Sequence, residues 1–190
     1  MPSSLNQELT NLSSFYYLKN DSREAARIEY SVNYMIDKIK KHFGSKIHKV
    51  YTFGSWERDT ILPRRFDKQS DVDIMVVFNH SDYDRTPETY RSWLLEFAKT
   101  YYPTSDIYKS SPTIVIELGN IKIDLVPAKE ELILGGIWSL TQIPISTNQW
   151  GGTDPKDVKE SLTRVNQEYN GIVRPVIRLL KAWNSKNDYP

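Results

Sequence analysis

The stretch FGSWERDTILPRRFDKQSDVDIMVVF, residues 53–78, together with IKIDLVPA, residues 121–128, decides how this chain is read. Two aspartates, Asp71 and Asp73, open an apolar run, and a Gly54-Ser55 pair closes the run before it. Side chains alternate along a strand, so a strand over DVDIMVVF (71–78) puts both carboxylates on one face. Two ionised acids this close repel, and burying either without a partner costs several kcal/mol, so something positive is required. An isolated D-x-D is equally compatible with solvated residues at a strand entrance. The chemical alternative is a divalent-cation site, because Mg²⁺ takes oxygen ligands and is commonly held by one or two carboxylates plus substrate phosphates.

Two further features favour the chemical alternative. Asp124 falls inside a second apolar strand, IKIDLVPA, and the neighbouring TIVIEL offers it no base. A buried unpaired Asp is uncommon, although Lys122 shares its face and is the simplest neutralising group. Gly54-Ser55 follows a strand, where a glycine lets a phosphate approach the backbone and a serine adds a hydroxyl and an N–H. A Gly-Ser turn alone says almost nothing. A strand, Gly-Ser, a spacer, a D-x-D strand and a solitary strand aspartate form a composite that is hard to obtain by chance.

Working outward, DSREAARIEYSVNYMIDKIKKHFG reads as a helix capped by Asp21 or Ser22, with Ala25, Ile28, Val32, Met35, Ile36, Ile39 and Phe43 at helical spacing and Gly44 as its stop. KVYTF (49–53) reads as a short strand. TPETYRSWLLEFAKTYY (86–102) reads as a helix with Thr86 as cap and Pro87 at its first position. TIVIEL and IKIDLVPA flank Gly119-Asn120, a loop suited to a tight hairpin. Residues 129–153 read as irregular. Asp154 caps a further helix with Pro155 at its first position, and Pro175 predicts a break near 171–175 before PVIRLLKAWNSK. Residues 1–20 show no clear period. The expected fold is α/β (α+β), a mixed sheet flanked by helices, divided as a polar segment 1–20, a core 21–153 and helices 154–190.

Composition bounds the function. The 190 residues suit one good domain, and 39% hydrophobic residues support a packed core. Twenty-five basic against 24 acidic residues leave a net charge of +1, which gives no bulk argument for wrapping long nucleic acid or lying on a membrane. There is no cysteine, and three scattered histidines (His42, His48, His80) lack metal-ligand spacing. No signal-peptide pattern and no apolar run of membrane length is present, so a cytoplasmic location is expected.

The combination GSWERDTILP…SDVDIMVVF, IKIDLVPA and NQWGGTDPKD…LTRVNQ…RPVIRLLKAWN resembles the bacterial cGAS/DncV-like nucleotidyltransferases (the SMODS domain) of the DNA polymerase β-like superfamily, relatives of the oligoadenylate synthetases. The resemblance spans roughly residues 45–185. It implies a polymerase β-like core plus the start of a C-terminal helical domain, and it implies that the chain is a fragment of a longer enzyme. It implies that Asp71, Asp73 and Asp124 hold two Mg²⁺ ions, with Mn²⁺ a possible substitute. Such ions, about 3.5–4 Å apart, stabilise attacking and leaving oxygens at an α-phosphorus. Gly54 and Ser55 would grip the β- and γ-phosphates of an NTP.

Lys181 would face the triphosphate, with Arg178 three residues earlier as a second nucleotide-binding candidate; a solvated helix face is the plainer account of Arg178. Arg64 and Arg65 in the spacer are expected to be exposed. Trp93 and Trp183 fit the core, and Trp150 is the better choice for a base-stacking aromatic. The implied activity is synthesis of a cyclic or linear oligonucleotide second messenger in anti-phage signalling, with NTP substrates and a downstream nucleotide-sensing effector. The alternatives are transfer to a tRNA, antibiotic or protein acceptor, or an inactive nucleotide-binding domain.

Overall fold

The computed structural model describes residues 5–20, 22–79, 85–133 and 138–187. The expected cap Asp21 and the histidine His80 lie outside them, as does the side chain of Ser22. Six helices, α1 (Leu5–Phe15), α2 (Ser22–Phe43), α3 (Gly54–Glu57), α4 (Pro87–Tyr101), α5 (Pro155–Glu168) and α6 (Val173–Asn187), accompany seven strands. These are β1 (Ile47–Phe53), β2 (Asp71–Phe78), β3 (Asp106–Ser110), β4 (Thr113–Glu117), β5 (Lys122–Ile133), β6 (Trp138–Pro144) and β7 (Trp150–Thr153).

The strands form one mixed sheet in the order β1-β2-β5-β4-β3, with β6 on the far half of β5 and β7 on β6. β2 and β5 run parallel and every other described pairing is antiparallel. One face of the sheet presents Val72, Ile74, Val76, Phe78, Ile114, Ile116, Ile123 and Leu125 to the apolar faces of α2 and α4, where Ile28, Met35, Ile39, Leu94 and Phe97 are fully buried. The opposite face carries a smaller apolar group, Met75, Val77 and Ala128, beside Tyr51 and Phe53. At the strand entrances that second face turns polar, and the aspartates are there.

Several readings change on this scaffold. The segment without a clear period contains a helix: α1 (Leu5–Phe15) packs on α6, and Leu18 is fully buried. Residues 129–153 are largely strand: β5 continues to Ile133, and β6 and β7 extend the sheet beyond it. The hairpin at Gly119-Asn120 is present, closed by the Leu118 N–H donating to the Ile121 carbonyl at 2.9 Å. The break before α6 spans 169–172, with Pro175 in the first helical turn, where its missing N–H leaves no bond unmade. Trp93 packs edge-on against Phe78 and Tyr90 as expected of core. Trp183 is instead 57% exposed, and Trp150 packs on Tyr90 and under the Lys129 ammonium, which makes it a structural aromatic.

Candidate active site

The parallel pairing of β2 with β5 places Asp73 beside Asp124 and Asp71 beside Lys122. In-register neighbours in a sheet share a face, so all three carboxylates converge at one end of one face. β1 runs antiparallel to β2 and delivers its last residue, Phe53, opposite Asp73. Gly54 therefore begins immediately over the Asp73 carboxylate. A Cβ built on Gly54 would lie 1.8 Å from Asp73 Oδ2 and 2.8 Å from its Cγ, and Gly54 has φ +70°. Backbone conformation and close approach both strain any other residue here. What reads in the sequence as a turn is the start of α3, and Ser55, 8% exposed, is its second residue.

The charges are partly compensated by the protein. Asp71 Oδ2 lies 3.5 Å from Lys122 Nζ. The lysine on the face of Asp124 thus pairs directly with Asp71, and it also opposes the rise of the Asp124 pKa. Thr113 Oγ1 donates to Asp124 Oδ2 at 3.3 Å, so the strand that reads as wholly apolar contributes a hydroxyl. The second oxygen, Asp124 Oδ1, is buried and has no hydrogen-bond partner. Burial, then the Asp71 and Asp124 charges, push Asp73 up to about 7, against the opposing pull of Arg58 and Lys181. Burial and Asp71 push Asp124 up to about 6.

These are the signs of a cluster that lacks positive charge. A divalent cation fits them, since it would satisfy the orphaned Oδ1 and restore both acids to their charged forms. Among the described residues, no three His, Cys, Asp or Glu side chains already stand in a ligand cluster.

Two cations face the carboxylates. Lys181, on α6, is exposed by surface area yet stands among protein groups. Loss of water around it and the Arg58 guanidinium lower its pKa, while Asp71, Asp67 and Asp73 draw it the other way. Arg58, which sequence reasoning missed, acts on Asp73 from the turn after α3; its place three residues beyond Ser55 was the available signal. Arg178 is neither solvated nor turned to this cluster: it is 6% exposed, donates to the Asp59 carbonyl at 2.8 Å and lies over the Tyr17 ring. Arg64 is likewise not simply exposed. Its backbone N–H donates to Glu24 and its guanidinium to the Lys68 carbonyl. Arg65 lies over Phe15 and Phe66.

A cavity of about 690 Å³ opens beside the cluster, lined among others by Tyr51, Phe53, Gly54, Arg58, Thr141 and Thr153. Its size is that of a small-molecule site. The three aspartates do not line it; Gly54, which does, lies against the Asp73 carboxylate.

Comparison with known proteins bears on the family and the fold. The family model described as the Second Messenger Oligonucleotide or Dinucleotide Synthetase domain matches residues 4–166. A cyclic AMP-AMP-AMP synthase of Acinetobacter sp. is 28% identical over 82% of this chain and 45% of its own length. The CBASS oligonucleotide cyclase CdnC of Escherichia coli is 27% identical over 96% of this chain and 62% of its own. The chain thus spans about half to three fifths of these relatives. Among solved structures, the Elizabethkingia meningoseptica CdnE cyclic dinucleotide synthase with GTP and Apcpp superposes with a TM-score of 0.65 at 16% identity, covering 97% of this chain and 67% of that one. At that identity the likeness bears on fold, and the fold is the one described above. With the family model covering most of its length, the chain belongs to the Second Messenger Oligonucleotide or Dinucleotide Synthetase domain family.

Proposed function

We propose that this chain carries the catalytic site of a nucleotidyltransferase that joins NTPs into a cyclic or linear oligonucleotide messenger and releases pyrophosphate. The observation that carries the reading is the meeting of Asp71, Asp73 and Asp124 on one face, under a glycine whose replacement would push a side chain into the Asp73 carboxylate. In the reaction a ribose hydroxyl of one nucleotide forms a bond to the α-phosphorus of an NTP. The bond from that phosphorus to the β-phosphate oxygen breaks, and the hydroxyl proton is lost.

Asp71, Asp73 and Asp124 would hold Mg²⁺, as two ions, or Mn²⁺ in its place. When bound, Mg²⁺ supplies charge neutralisation of the triphosphate and lowers the pKa of the attacking hydroxyl. The chain's own groups do the rest. Gly54 and Ser55 offer the close backbone approach and hydroxyl that a β,γ-phosphate needs, and Lys181 and Arg58 oppose its charge from the other side. Asp124, whose Oδ1 is buried without a hydrogen-bond partner, would complete the cation site and help activate the nucleophilic hydroxyl. The adjoining cavity has room for the nucleotide that supplies this hydroxyl.

The relatives' names, a cyclic AMP-AMP-AMP synthase and a CBASS oligonucleotide cyclase, support a cyclic product; anti-phage signalling is the role proposed. E. coli CdnC, whose structure has a TM-score of 0.63 to this chain at 15% identity, is seen in complex with a HORMA protein; a protein partner and a downstream nucleotide-sensing effector are proposed for this chain. No helix among the described residues is long and apolar enough to cross a membrane; the cytoplasm is the location proposed.

The test is to incubate the protein with radiolabelled NTPs and Mg²⁺ beside an Asp71→Asn/Asp73→Asn variant, reading both nucleotide binding and phosphatase-resistant product. Mg²⁺-dependent binding and product in the wild type alone are expected. Equal behaviour of the two proteins would sink the proposal.

A further inference from the structure

The turn that leaves α3 is gripped from outside the sheet at two consecutive carbonyls. Arg174 Nε donates to the Arg58 carbonyl at 3.0 Å, and Arg178 Nη1 donates to the Asp59 carbonyl at 2.8 Å. The two arginines are one helical turn apart on α6 and so present to the same neighbour. Each is itself held in place. Arg174 Nη2 donates to Thr163 Oγ1 at 2.9 Å, and its backbone N–H donates to Oδ1 of the buried Asn166 at 3.0 Å. The Arg178 guanidinium lies 4.6 Å from the Tyr17 ring centroid. Asp59, at φ +58°, holds a conformation that non-glycine residues adopt rarely, and its carboxylate pairs with Lys19.

α6 has little other reason to spend two arginines here. Val176, Leu180 and Trp183 on its outer face are exposed, and the buried residues of the helix are Arg178 and Ala182. Charge-assisted hydrogen bonds are the stronger kind and have defined direction, and these two end on the residues that immediately follow Gly54-Ser55. Lys181 is three residues beyond Arg178 on the same helix.

We propose that Arg174 and Arg178 are positioning residues that lock α6 to the Gly54–Asp59 turn, so that Gly54-Ser55 and Lys181, the two sides of the phosphate grip, are held at one fixed separation. Neither arginine touches nucleotide in this account. The inference rests on the nucleotidyltransferase reading for what the grip holds, but the lock itself is a property of the protein alone.

Trp56, inside α3, supplies a reporter that does not depend on catalysis. The chain would be labelled with 5-fluorotryptophan, its Trp56 ¹⁹F resonance assigned with Trp56→Phe, and binding of Mg²⁺-Apcpp titrated for wild type, Arg174→Met and Arg178→Met. Each Met variant is expected to shift or broaden the Trp56 resonance and to weaken Mg²⁺-Apcpp binding about tenfold, the scale of one lost charge-assisted hydrogen bond. Arg178→Lys, which keeps the charge with a shorter and differently shaped donor, is expected to fall between. It also replaces any Met variant that fails to fold.

An unmoved Trp56 resonance with wild-type affinity in these variants overturns the proposal. So does a loss of affinity that only tracks the unfolded fraction. A wild-type protein that does not bind Mg²⁺-Apcpp would instead remove the nucleotidyltransferase reading, and the Trp56 resonance would still decide the lock.

Discussion

Gly54 and Asp73 are a matched pair, each explaining the other's surroundings. Substituting Gly54→Ala would place a methyl into the Asp73 carboxylate and force a positive φ on a residue with a side chain. Loss of stability on the order of 1–3 kcal/mol is expected in urea unfolding, together with loss of Mg²⁺-dependent nucleotide binding. Wild-type binding by Gly54→Ala would show that the close approach is dispensable. Asp73 itself has a folded pKa near 7, well above the ordinary carboxylate value, so between about pH 4 and 7 the folded state binds the extra proton. Stability therefore falls as pH rises through that window and stays lower above it. Asp73→Asn is expected to stabilise the protein at pH 8 by roughly 1–2 kcal/mol, allowing for solvent screening of a partly exposed group, and to change little at pH 4. The same sign makes the thermal shift produced by Mg²⁺ larger at pH 8 than at pH 5, since the carboxylates must be ionised to hold it. Calorimetry with and without the ion at the two pH values checks both statements.

At the scale of elements, α5 begins where β7 ends, and Asp154 accepts the Asp157 N–H at 2.9 Å with Pro155 at the first helical position. Asp154→Ala is expected to cost about 1 kcal/mol of unfolding free energy. Chemical denaturation would measure it, and no change would mean that the helix start is held by packing alone. This cap was legible in the sequence, as were α2, α4, β2, the first half of β5 and the hairpin between β4 and β5, because apolar spacing, caps and a Gly-Asn loop are local signals. The β6–β7 hairpin was not legible. Its strands add to the far half of β5 with exposed or half-buried residues such as Ser139 and Leu140, so the alternation that marks a strand is weak. α1 was missed despite Leu5, Leu9, Leu12 and Phe15 at helical spacing, because that stripe remains exposed and its surrounding residues are polar. In the site, the three aspartates and Gly54 could be read from pattern, whereas the Lys122–Asp71 pair, the Thr113 hydroxyl and the arginine contacts to residues 58 and 59 come from strand register and from helix packing across more than a hundred residues. No local signal encodes those.

Across the whole molecule, stability is concentrated on the face away from the chemistry. Phe78 and Tyr90 stack at 4.5 Å with their planes 6° apart, both buried, and Phe43 and Trp93 meet Phe78 edge-on. Phe78→Ala is expected to cost about 3–5 kcal/mol, a large share of the roughly 5–15 kcal/mol that holds such a domain together. Loss of the cooperative thermal transition near physiological temperature would confirm it, and a shift of a degree or two would contradict it. The division leaves the other face at liberty to carry repelling charges and a cavity without forfeiting the fold.

β5 crosses that division as one unbroken strand of twelve residues, with Asp124 near one end and the cavity-lining Glu130 six residues along. At about 3.3 Å per residue it works as a ruler of about 20 Å between Asp124 and Glu130. Adding or removing one residue would not lengthen the ruler smoothly, since every side chain beyond the change would swap faces. Selectivity for what enters the cavity must therefore be written in the side chains along its graduations, while the distance between its ends stays constant.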